Sequence, residues 1–296
     1  MQIDLHQHLW PAPFVAALRA RRAPPRLDGW TLLLAGEPPL VFDPATHDAA
    51  ARAALAADDG ADLVCISPAA SLGIDRLPAA EADTLADAWL EGALALPTPF
   101  AAWTPARTPA ALEDALAAGA IGLELPADRL AAPGALADLA PLLGTLEAAG
   151  RPLFVHPGPA GDTTGRPVWW GAVVPYVAQL HAAWWAWADG GRERFSDLPV
   201  CFAALAGLGP LHGERHRARG GQGAPVDPLT FVETSSYGTQ AVDAVIRALG
   251  IDVVCHGSDR PYAVPGFPAL GDAAVHAIRN VNPSRLLAGV LAEATA

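Results

Sequence analysis

The sequence Ile3-Asp4-Leu5-His6-Gln7-His8 opens the chain with an alternation of apolar and polar residues that ends in two histidines. An alternation with a period of two predicts a β-strand, on which residues two apart lie on the same face, about 7 Å apart along the strand. The imidazoles of His6 and His8 can therefore reach one metal ion. This stretch is both the first element of the fold and a candidate active site.

Short apolar or β-branched runs like this one recur along the whole chain. After the first strand they lie at residues 62–67, 100–103, 121–125, 153–156, 199–204, 230–234 and 251–256. The stretches between them, such as 108–118, 134–149 and 239–249, have the spacing of amphipathic helices. Eight strand and helix units without a change in composition predict a single (β/α)8 TIM barrel that spans residues 1–296 as one domain.

The alternative is an open, doubly wound parallel sheet. No Gly-x-Gly-x-x-Gly turn follows the first strand, and the chemistry-bearing residues lie at the ends of strands that are distant in sequence. Both observations favour the barrel.

Residues 11–43 interrupt the first strand and helix unit with a proline-rich insertion. We expect it to form a small hairpin over the barrel mouth, the end of a barrel where loops carry function. Trp10 and Trp30 either line the pocket there or pack the insertion against the barrel, and the sequence does not decide between the two.

The composition limits the classes of partner. Of 296 residues, 52% are hydrophobic and 17% are charged, and the formal net charge is −12. An acidic chain without a basic run is repelled by phosphate backbones and anionic lipids, so we expect neither nucleic acid nor membrane partners. All basic residues other than histidine are arginines, which excludes a Schiff-base lysine, a phosphate-binding lysine and a carboxylated lysine between two metals.

Three scattered cysteines and one tryptophan-rich segment bear on where the protein acts. Cys65, Cys201 and Cys255 lie in apolar runs without a pairing pattern, as expected of core thiols in a reducing cytoplasm, and no signal peptide is predicted. Residues 167–188 carry no formal charge and include five tryptophans, but glycine, proline, glutamine and histidine interrupt them. A buried or interface helix is expected there rather than a membrane span.

Metal-ligand residue types stand at the carboxyl ends of three predicted strands. They are His6 and His8 on the first strand, His156 on the fifth and Asp259 after the eighth. These ends converge in a barrel, and three imidazoles with one carboxylate suit Zn²⁺, which lowers the pKa of bound water. Each residue alone has a simpler explanation, since His156 can end its strand and Asp259 can bond its own turn. Their joint placement indicates one divalent metal site.

These motifs resemble the amidohydrolase superfamily, and more narrowly its amidohydrolase-2 group. The resemblance rests on the His-x-His strand, on Val155-His156-Pro157 and on the run Gly257-Ser258-Asp259-Arg260-Pro261-Tyr262, and it extends to residues 192–199 and 282–287. Members of the group include metal-dependent hydrolases, lactonases and nonoxidative decarboxylases related to aminocarboxymuconate-semialdehyde decarboxylase. The resemblance implies that His6, His8, His156 and Asp259 hold one metal ion.

Glu124, at the end of the fourth strand, has two interpretations under this resemblance. It can bridge a second metal, or it can line the pocket as a hydrogen-bonded or salt-bridged carboxylate, and the second interpretation is favoured. At the rim of the same mouth, Ser235, Ser236 and Tyr237 can bind substrate. Arg260 can pair with an anionic substrate group or else hold its own loop.

The sequence departs from the group after the sixth strand. Members normally carry there a histidine followed by glycines, which orients or deprotonates the attacking water, whereas residues 202–209 contain no histidine. His212 is the first candidate to replace it, with His181 and His256 as others, and Asp259 can itself act as the base.

Three functional hypotheses follow. The first is a cytoplasmic hydrolase that cleaves an amide or lactone type of bond in a small molecule with metal-activated water. The alternative is a nonoxidative decarboxylase acting on an aromatic or unsaturated acid, and the third is a barrel without catalytic activity. A homodimer is also predicted, since the tryptophan-rich segment offers an apolar face.

Overall fold

The computed structural model describes residues 1–132, 134–264, 266 and 269–293. The strands in this part of the chain are β1 (Ile3–His8), β2 (Arg26–Asp28), β3 (Thr31–Leu33), β4 (Leu40–Val41), β5 (Leu63–Ser67), β6 (Phe100–Thr104), β7 (Gly122–Pro126), β8 (Leu153–His156), β9 (Val200–Phe202), β10 (Thr230–Glu233) and β11 (Val254–Cys255).

Eight of these strands form one parallel sheet in the order β1-β5-β6-β7-β8-β9-β10-β11. The two edge strands meet through backbone hydrogen bonds, from the Leu5 amide to the His256 carbonyl (3.0 Å) and from the Asp259 amide to the His6 carbonyl (2.8 Å). The sheet is thus a nearly closed (β/α)8 barrel. The predicted fold is confirmed, and the open doubly wound alternative is wrong.

The α-helices cover the outside of the sheet. In the described residues they are α1 (Ala12–Ala20), α2 (Ala49–Asp58), α3 (Ala79–Leu94), α4 (Pro109–Ala117), α5 (Ala127–Ala131), α6 (Ala135–Asp138), α7 (Ala140–Ala148), α8 (Trp170–Val173), α9 (Pro175–Arg194), α10 (Gly213–Arg217), α11 (Thr239–Leu249), α12 (Asp272–His276), α13 (Asn282–Leu286) and α14 (Ala288–Glu293). A π-helical turn at 277–281 joins α12 to α13.

The barrel core is apolar because parallel strands covered by helices are buried on both faces. Trp103 and Phe154 stack in it with ring centroids 5.2 Å apart. The cysteines Cys65, Cys201 and Cys255 are buried free thiols, as predicted. Because the strands are buried along their length, polar side chains can meet at the carboxyl ends of the strands.

Several element boundaries differ from the prediction by one or two residues, and two elements differ by more. The eighth barrel strand, expected over residues 251–256, is reduced to β11 because the Asn282 side chain donates to the carbonyls of Ile251 (2.8 Å) and Val254 (2.7 Å), and a 3₁₀ turn precedes it. The helix expected over 134–149 is divided into α6 and α7, since Pro141 lacks an amide hydrogen and stands in the first turn of α7.

The insertion at 11–43 contains the predicted hairpin as part of a larger unit. Helix α1 comes first, and β2, β3 and β4 then form a three-stranded antiparallel sheet. Trp10 is only 1% exposed and its indole nitrogen donates to the Pro68 carbonyl at 3.1 Å, so it packs the insertion rather than lining an open pocket. The Phe42 ring reaches Tyr262 (5.6 Å between centroids), which links the insertion to the loop after β11.

The tryptophan-rich segment forms α8 and α9. Trp184 and Trp187 are buried in the barrel core, whereas Trp169, just before α8, is 56% exposed. Among the helices of the described residues, none combines the length and the apolar character that crossing a bilayer requires.

Candidate metal centre

Three imidazoles converge at the carboxyl ends of β1 and β8. His6, His8 and His156 are all buried, and one ring nitrogen of each lies within 4.8 Å of those of the other two. The Nε2 atoms of His6 and His8 are 2.9 Å apart, and the His156 ring lies 5.0 Å from each of the other two rings, nearly perpendicular to both. The barrel therefore brings residues that are 150 positions apart in sequence into one cluster.

The carboxylate of Asp259 completes this cluster. Its Oδ1 lies 3.3 Å from His8 Nε2 and 3.6 Å from His6 Nε2, and its side chain is 20% exposed. Asp259 has a φ of 57°, in the left-handed region, and its Oδ2 accepts a hydrogen bond of 3.2 Å from the Ser236 hydroxyl. All four residues that the sequence predicts as ligands thus meet at one place.

The second ring nitrogen of each histidine is held by an oxygen atom. His6 Nδ1 lies 3.0 Å from Glu233 Oε1, His8 Nδ1 3.2 Å from the Ser67 carbonyl, and His156 Nδ1 2.9 Å from the Pro157 carbonyl. Such partners fix the tautomer and orientation of a metal-binding imidazole and leave Nε2 as the ligand atom. The donor set fits one divalent ion with three nitrogen ligands and one oxygen ligand.

Glu233, at the end of β10, is the functional residue that the sequence analysis missed. It is fully buried, and besides His6 it binds the amides of Ala204 (2.7 Å) and Ser235 (2.6 Å) and the Ser235 hydroxyl (2.6 Å). The available signal was a carboxylate at the end of the apolar run Phe231-Val232-Glu233, which is the position that identified Glu124 on β7.

The pKa values of the three imidazoles are shifted in different directions. Burial lowers the pKa of an imidazole, but at His6 the carboxylates of Glu233, Asp259 and Asp4 together outweigh burial and raise the pKa to about 9. Burial, together with the charge of His6, lowers the pKa values of His8 and His156 well below their usual range. The neighbouring carboxylates thus favour positive charge at His6, whereas His8 and His156 stay neutral.

Glu124 lies beside the cluster and is buried. Its Oε1 accepts from the Ser67 hydroxyl (2.7 Å) and the Ala70 amide (3.2 Å), and it is 3.9 Å from His156 Nδ1. Burial raises its pKa to about 7. These contacts agree with the favoured interpretation of a hydrogen-bonded carboxylate.

The candidates for the missing histidine lie in different surroundings. His212 is exposed, and its Nδ1 is 3.4 Å from Nε2 of His181 on α9. His256 is buried with its Nε2 3.9 Å from Asp4 Oδ2. Neither of these two contacts is with the three imidazoles of the cluster, and a catalytic role for His212 stays a prediction.

The segment after β9, where the group carries that histidine, is a left-handed turn. Residues 204–208 have φ values between 47° and 60°. The side chains of Leu205 and Ala206 are completely buried. The side chains of this segment are apolar, and its Ala204 amide donates to Glu233.

The other residues predicted to bind substrate lie in different surroundings. The Arg260 guanidinium lies 2.7 Å from Asp59, which favours the alternative that it holds its loop. Tyr237 is half-buried against the barrel core, and Trp10 is buried under the insertion. The Tyr262 ring lies 5.0 Å from that of His8 and was not predicted as a site residue.

Comparison with known proteins finds similarity in fold. No family model and no curated protein matches the sequence. Among solved structures, 5-carboxyvanillate decarboxylase LigW from Sphingomonas paucimobilis is 20% identical with a TM-score of 0.72, over 97% of this chain and 98% of that one. The 4-oxalomesaconate hydratase LigJ from Rhodopseudomonas palustris is 15% identical with a TM-score of 0.69, over 100% and 98%.

The chain has the fold of these enzymes. A dihydroxybenzoic acid decarboxylase from Polaromonas, solved with bound manganese and an inhibitor, is also similar: 16% identical with a TM-score of 0.62, over 97% of this chain and 96% of that one. The predicted resemblance to the amidohydrolase-2 group is confirmed at the level of the fold. The similar structures named here are decarboxylases and a hydratase rather than hydrolases.

Proposed function

We propose that the chain is a metal-dependent, nonoxidative decarboxylase of the amidohydrolase-2 group that acts on a small aromatic or unsaturated carboxylic acid. The observation that carries this proposal is the four-residue cluster in a barrel whose similar solved structures include several decarboxylases. The turn at 204–208 supplies only apolar side chains where the group carries a histidine, so a hydrolase would have to activate its attacking water through Asp259. Decarboxylation adds no water to the substrate, so it needs no residue that activates an attacking water.

His6, His8, His156 and Asp259 would hold one divalent ion, for which Zn²⁺ and Mn²⁺ are the candidates. When bound there, such an ion supplies a Lewis acid that withdraws electron density from a substrate oxygen. Glu233, Ser67 and the Pro157 carbonyl keep the imidazoles oriented toward the shared position. These partners make the site preorganised, so little reorganisation is needed when substrate binds.

Asp259 is the proposed proton carrier. In the reaction the bond between the carboxyl carbon and the substrate breaks, carbon dioxide leaves, and the electron pair stays on the substrate carbon. A proton from the Asp259 carboxyl then bonds to that carbon, and solvent returns a proton to Asp259. The Ser236 hydroxyl, 3.2 Å from Oδ2, orients the carboxyl, and the partial exposure of Asp259 lets substrate reach it.

The test is carbon dioxide release by protein loaded with Zn²⁺ or Mn²⁺. Carboxyl-labelled 2,6-dihydroxybenzoate and 5-carboxyvanillate are suitable first substrates, because similar structures act on acids of these names. We expect labelled carbon dioxide from an acid of this class, its loss in His8→Ala, and full activity in His276→Ala, whose imidazole is exposed on α12.

Two other outcomes would reject the proposal. Hydrolysis of an amide or lactone, with solvent oxygen in the product and no carbon dioxide from any acid, would return the assignment to a hydrolase. Purified protein that takes up neither Zn²⁺ nor Mn²⁺ would favour a barrel without catalytic activity.

We also propose that the protein acts in the cytoplasm on a small molecule, without nucleic acid or membrane partners. Its net charge of −12 and its three free buried thiols support this proposal. Fractionation of cells that express the tagged chain tests it, and recovery with membranes or with nucleic acid would contradict it.

A further inference from the structure

The barrel closes between β1 and β11 without a regular strand ladder. β11 has two residues, and no regular ladder of hydrogen bonds joins it to β1; isolated backbone bonds and one bridge between Gln7 and Arg260 join the two edges. Both edges carry parts of the candidate metal centre, since His8 ends β1 and Asp259 follows β11. The spacing of these side chains therefore depends on what holds the two edges together.

Arg52, on α2, spans this junction. Its side chain is buried, and its Nη1 donates to the carbonyl of His8 at 2.9 Å. Its Nη2 donates to the carbonyl of Arg260 at 3.3 Å and to the Gln7 side chain. One guanidinium thus bonds the backbone of a ligand residue on one edge and of the residue directly after Asp259 on the other.

The Gln7 side chain links Arg52 to Asp4 by hydrogen bonds. The Gln7 amide donates to Asp4 Oδ2 at 2.7 Å, and Asp4 Oδ1 accepts from the amides of His6 (3.2 Å) and Ser258 (3.0 Å). Asp4 and Gln7 are each 3% exposed. We name the set Arg52, Gln7 and Asp4 the seam bridge.

The seam bridge encloses Asp259 in particular. Asp4 bonds the amide of Ser258 and Arg52 bonds the carbonyl of Arg260, so the residues on both sides of Asp259 are fixed. Asp259 itself has a φ of 57°, a backbone conformation that residues other than glycine rarely adopt unless the surrounding structure holds them. Removing the Arg52 guanidinium and the Asp4 carboxylate from water costs desolvation free energy. That both are nevertheless buried here indicates that the site needs the geometry they impose.

We propose that Arg52 is a positioning residue that acts through the seam bridge to set the spacing of His8 and Asp259, and with it the affinity for a divalent ion. The inference rests on the metal centre under "Proposed function", although it concerns binding and not turnover. Groups that orient the ligands of a metal change its affinity by about 10- to 100-fold when they are removed.

The experiment compares Arg52→Met, Arg52→Lys and Gln7→Met with the wild-type chain. Dissociation constants for Zn²⁺ and Mn²⁺ are measured by competition with a chromophoric chelator, the absorption spectrum of bound Co²⁺ reports ligand geometry, and urea unfolding of metal-free protein reports stability. We expect Arg52→Met and Gln7→Met to weaken binding about 10-fold or more and to alter the Co²⁺ spectrum, with Arg52→Lys restoring part of the affinity.

Arg151→Met is the matched control. Arg151 is buried and paired with Glu293 outside the metal centre, so its loss should lower stability and leave the metal dissociation constant unchanged. If Arg52→Met does not fold, Gln7→Met decides. Folded variants that bind metal as tightly as the wild type, with the same Co²⁺ spectrum, would overturn the inference, whereas a wild-type chain that binds no metal would overturn the proposed function itself.

Discussion

Glu233 shows how one buried carboxylate can govern the metal centre. It binds His6 Nδ1 and three further donors, and its charge, together with those of Asp259 and Asp4, keeps the pKa of His6 high despite burial. Glu233→Gln keeps the shape but removes the charge, so we expect the affinity for Zn²⁺ to fall about 10- to 100-fold. Chelator competition measures the change, and Glu214→Gln, at an exposed position on α10, is the control. Equal affinity in Glu233→Gln would show that His6 does not depend on this partner.

Because His47 is buried, we expect the free energy of unfolding to fall in acid. Its ring is buried and stacks on Trp10 (4.5 Å between centroids) and Trp30 (5.8 Å), and Nδ1 accepts from the Trp10 amide. Burial, and then the charge of Arg52, lower its pKa to about 4. The unfolded chain takes up a proton below about pH 6.5 and the folded chain only near pH 4, so stability falls between these values, by about 3 kcal/mol.

His47→Asn tests this contribution, because its side-chain oxygen can replace Nδ1 as the acceptor without titrating. Urea unfolding at pH 7 and pH 4 should show that the wild type loses about 3 kcal/mol more than the variant over this interval. The other histidines are common to both chains and cancel in the difference. An equal loss in the two chains would mean that His47 is already charged in the folded state.

At the scale of elements, the left-handed turn at 204–208 is the most constrained segment near the site. A Cβ on Gly207 would lie 2.3 Å from the Val177 carbonyl of α9, and its φ is 56°. Gly207→Ala should therefore lower the free energy of unfolding by about 2–5 kcal/mol, from left-handed strain and overpacking together. Thermal and urea unfolding measure the loss.

Gly144→Ala is the matched control for Gly207→Ala. Gly144 lies in α7 with no atom within 4 Å of an added Cβ, so alanine should stabilise the helix by about 0.5–1 kcal/mol. A mild effect of Gly207→Ala, similar in size to that of the control, would show that the turn is not constrained as described.

The elements themselves were predictable to different degrees. β8 and α11 have the predicted bounds, because apolar periodicity and flanking turn residues are local signals. β11 does not, since the Asn282 side chain, nearly thirty residues later in the chain, binds the carbonyls of Ile251 and Val254. A bond between distant segments has no signature in the local sequence.

At the scale of the whole molecule, the metal centre joins the first strand to the middle and the end of the chain. An ion bound only by the folded protein stabilises it, by about 2.7 kcal/mol at 100 times its dissociation constant. We expect chelator to lower the melting temperature and added Zn²⁺ or Mn²⁺ to restore it, with no response in His156→Ala. A melting temperature that is indifferent to metal in the wild type would contradict a bound ion at this place.

The homodimer stays a prediction, but the exposed apolar surface that supports it lies beside α8 rather than on α9. The tryptophans of α9 are largely used within the chain, whereas Val168, Trp169 and Val173 are 68%, 56% and 57% exposed beside α8. We expect sedimentation as a dimer at micromolar concentration, which Trp169→Ser combined with Val173→Ser should weaken. A wild-type monomer at that concentration would remove the prediction.

The sequence by itself determined the barrel and predicted the four residues that lie together in the candidate metal centre. Both follow from local patterns, since alternation and helical spacing specify strands and helices, and ligands at strand ends converge in any barrel. Only the tertiary structure decided that Glu233 holds His6, that Arg260 pairs with Asp59, and that Arg52 closes the seam. These contacts join residues from 44 to 227 positions apart in sequence, and their partners become known only when packing brings the strand ends together.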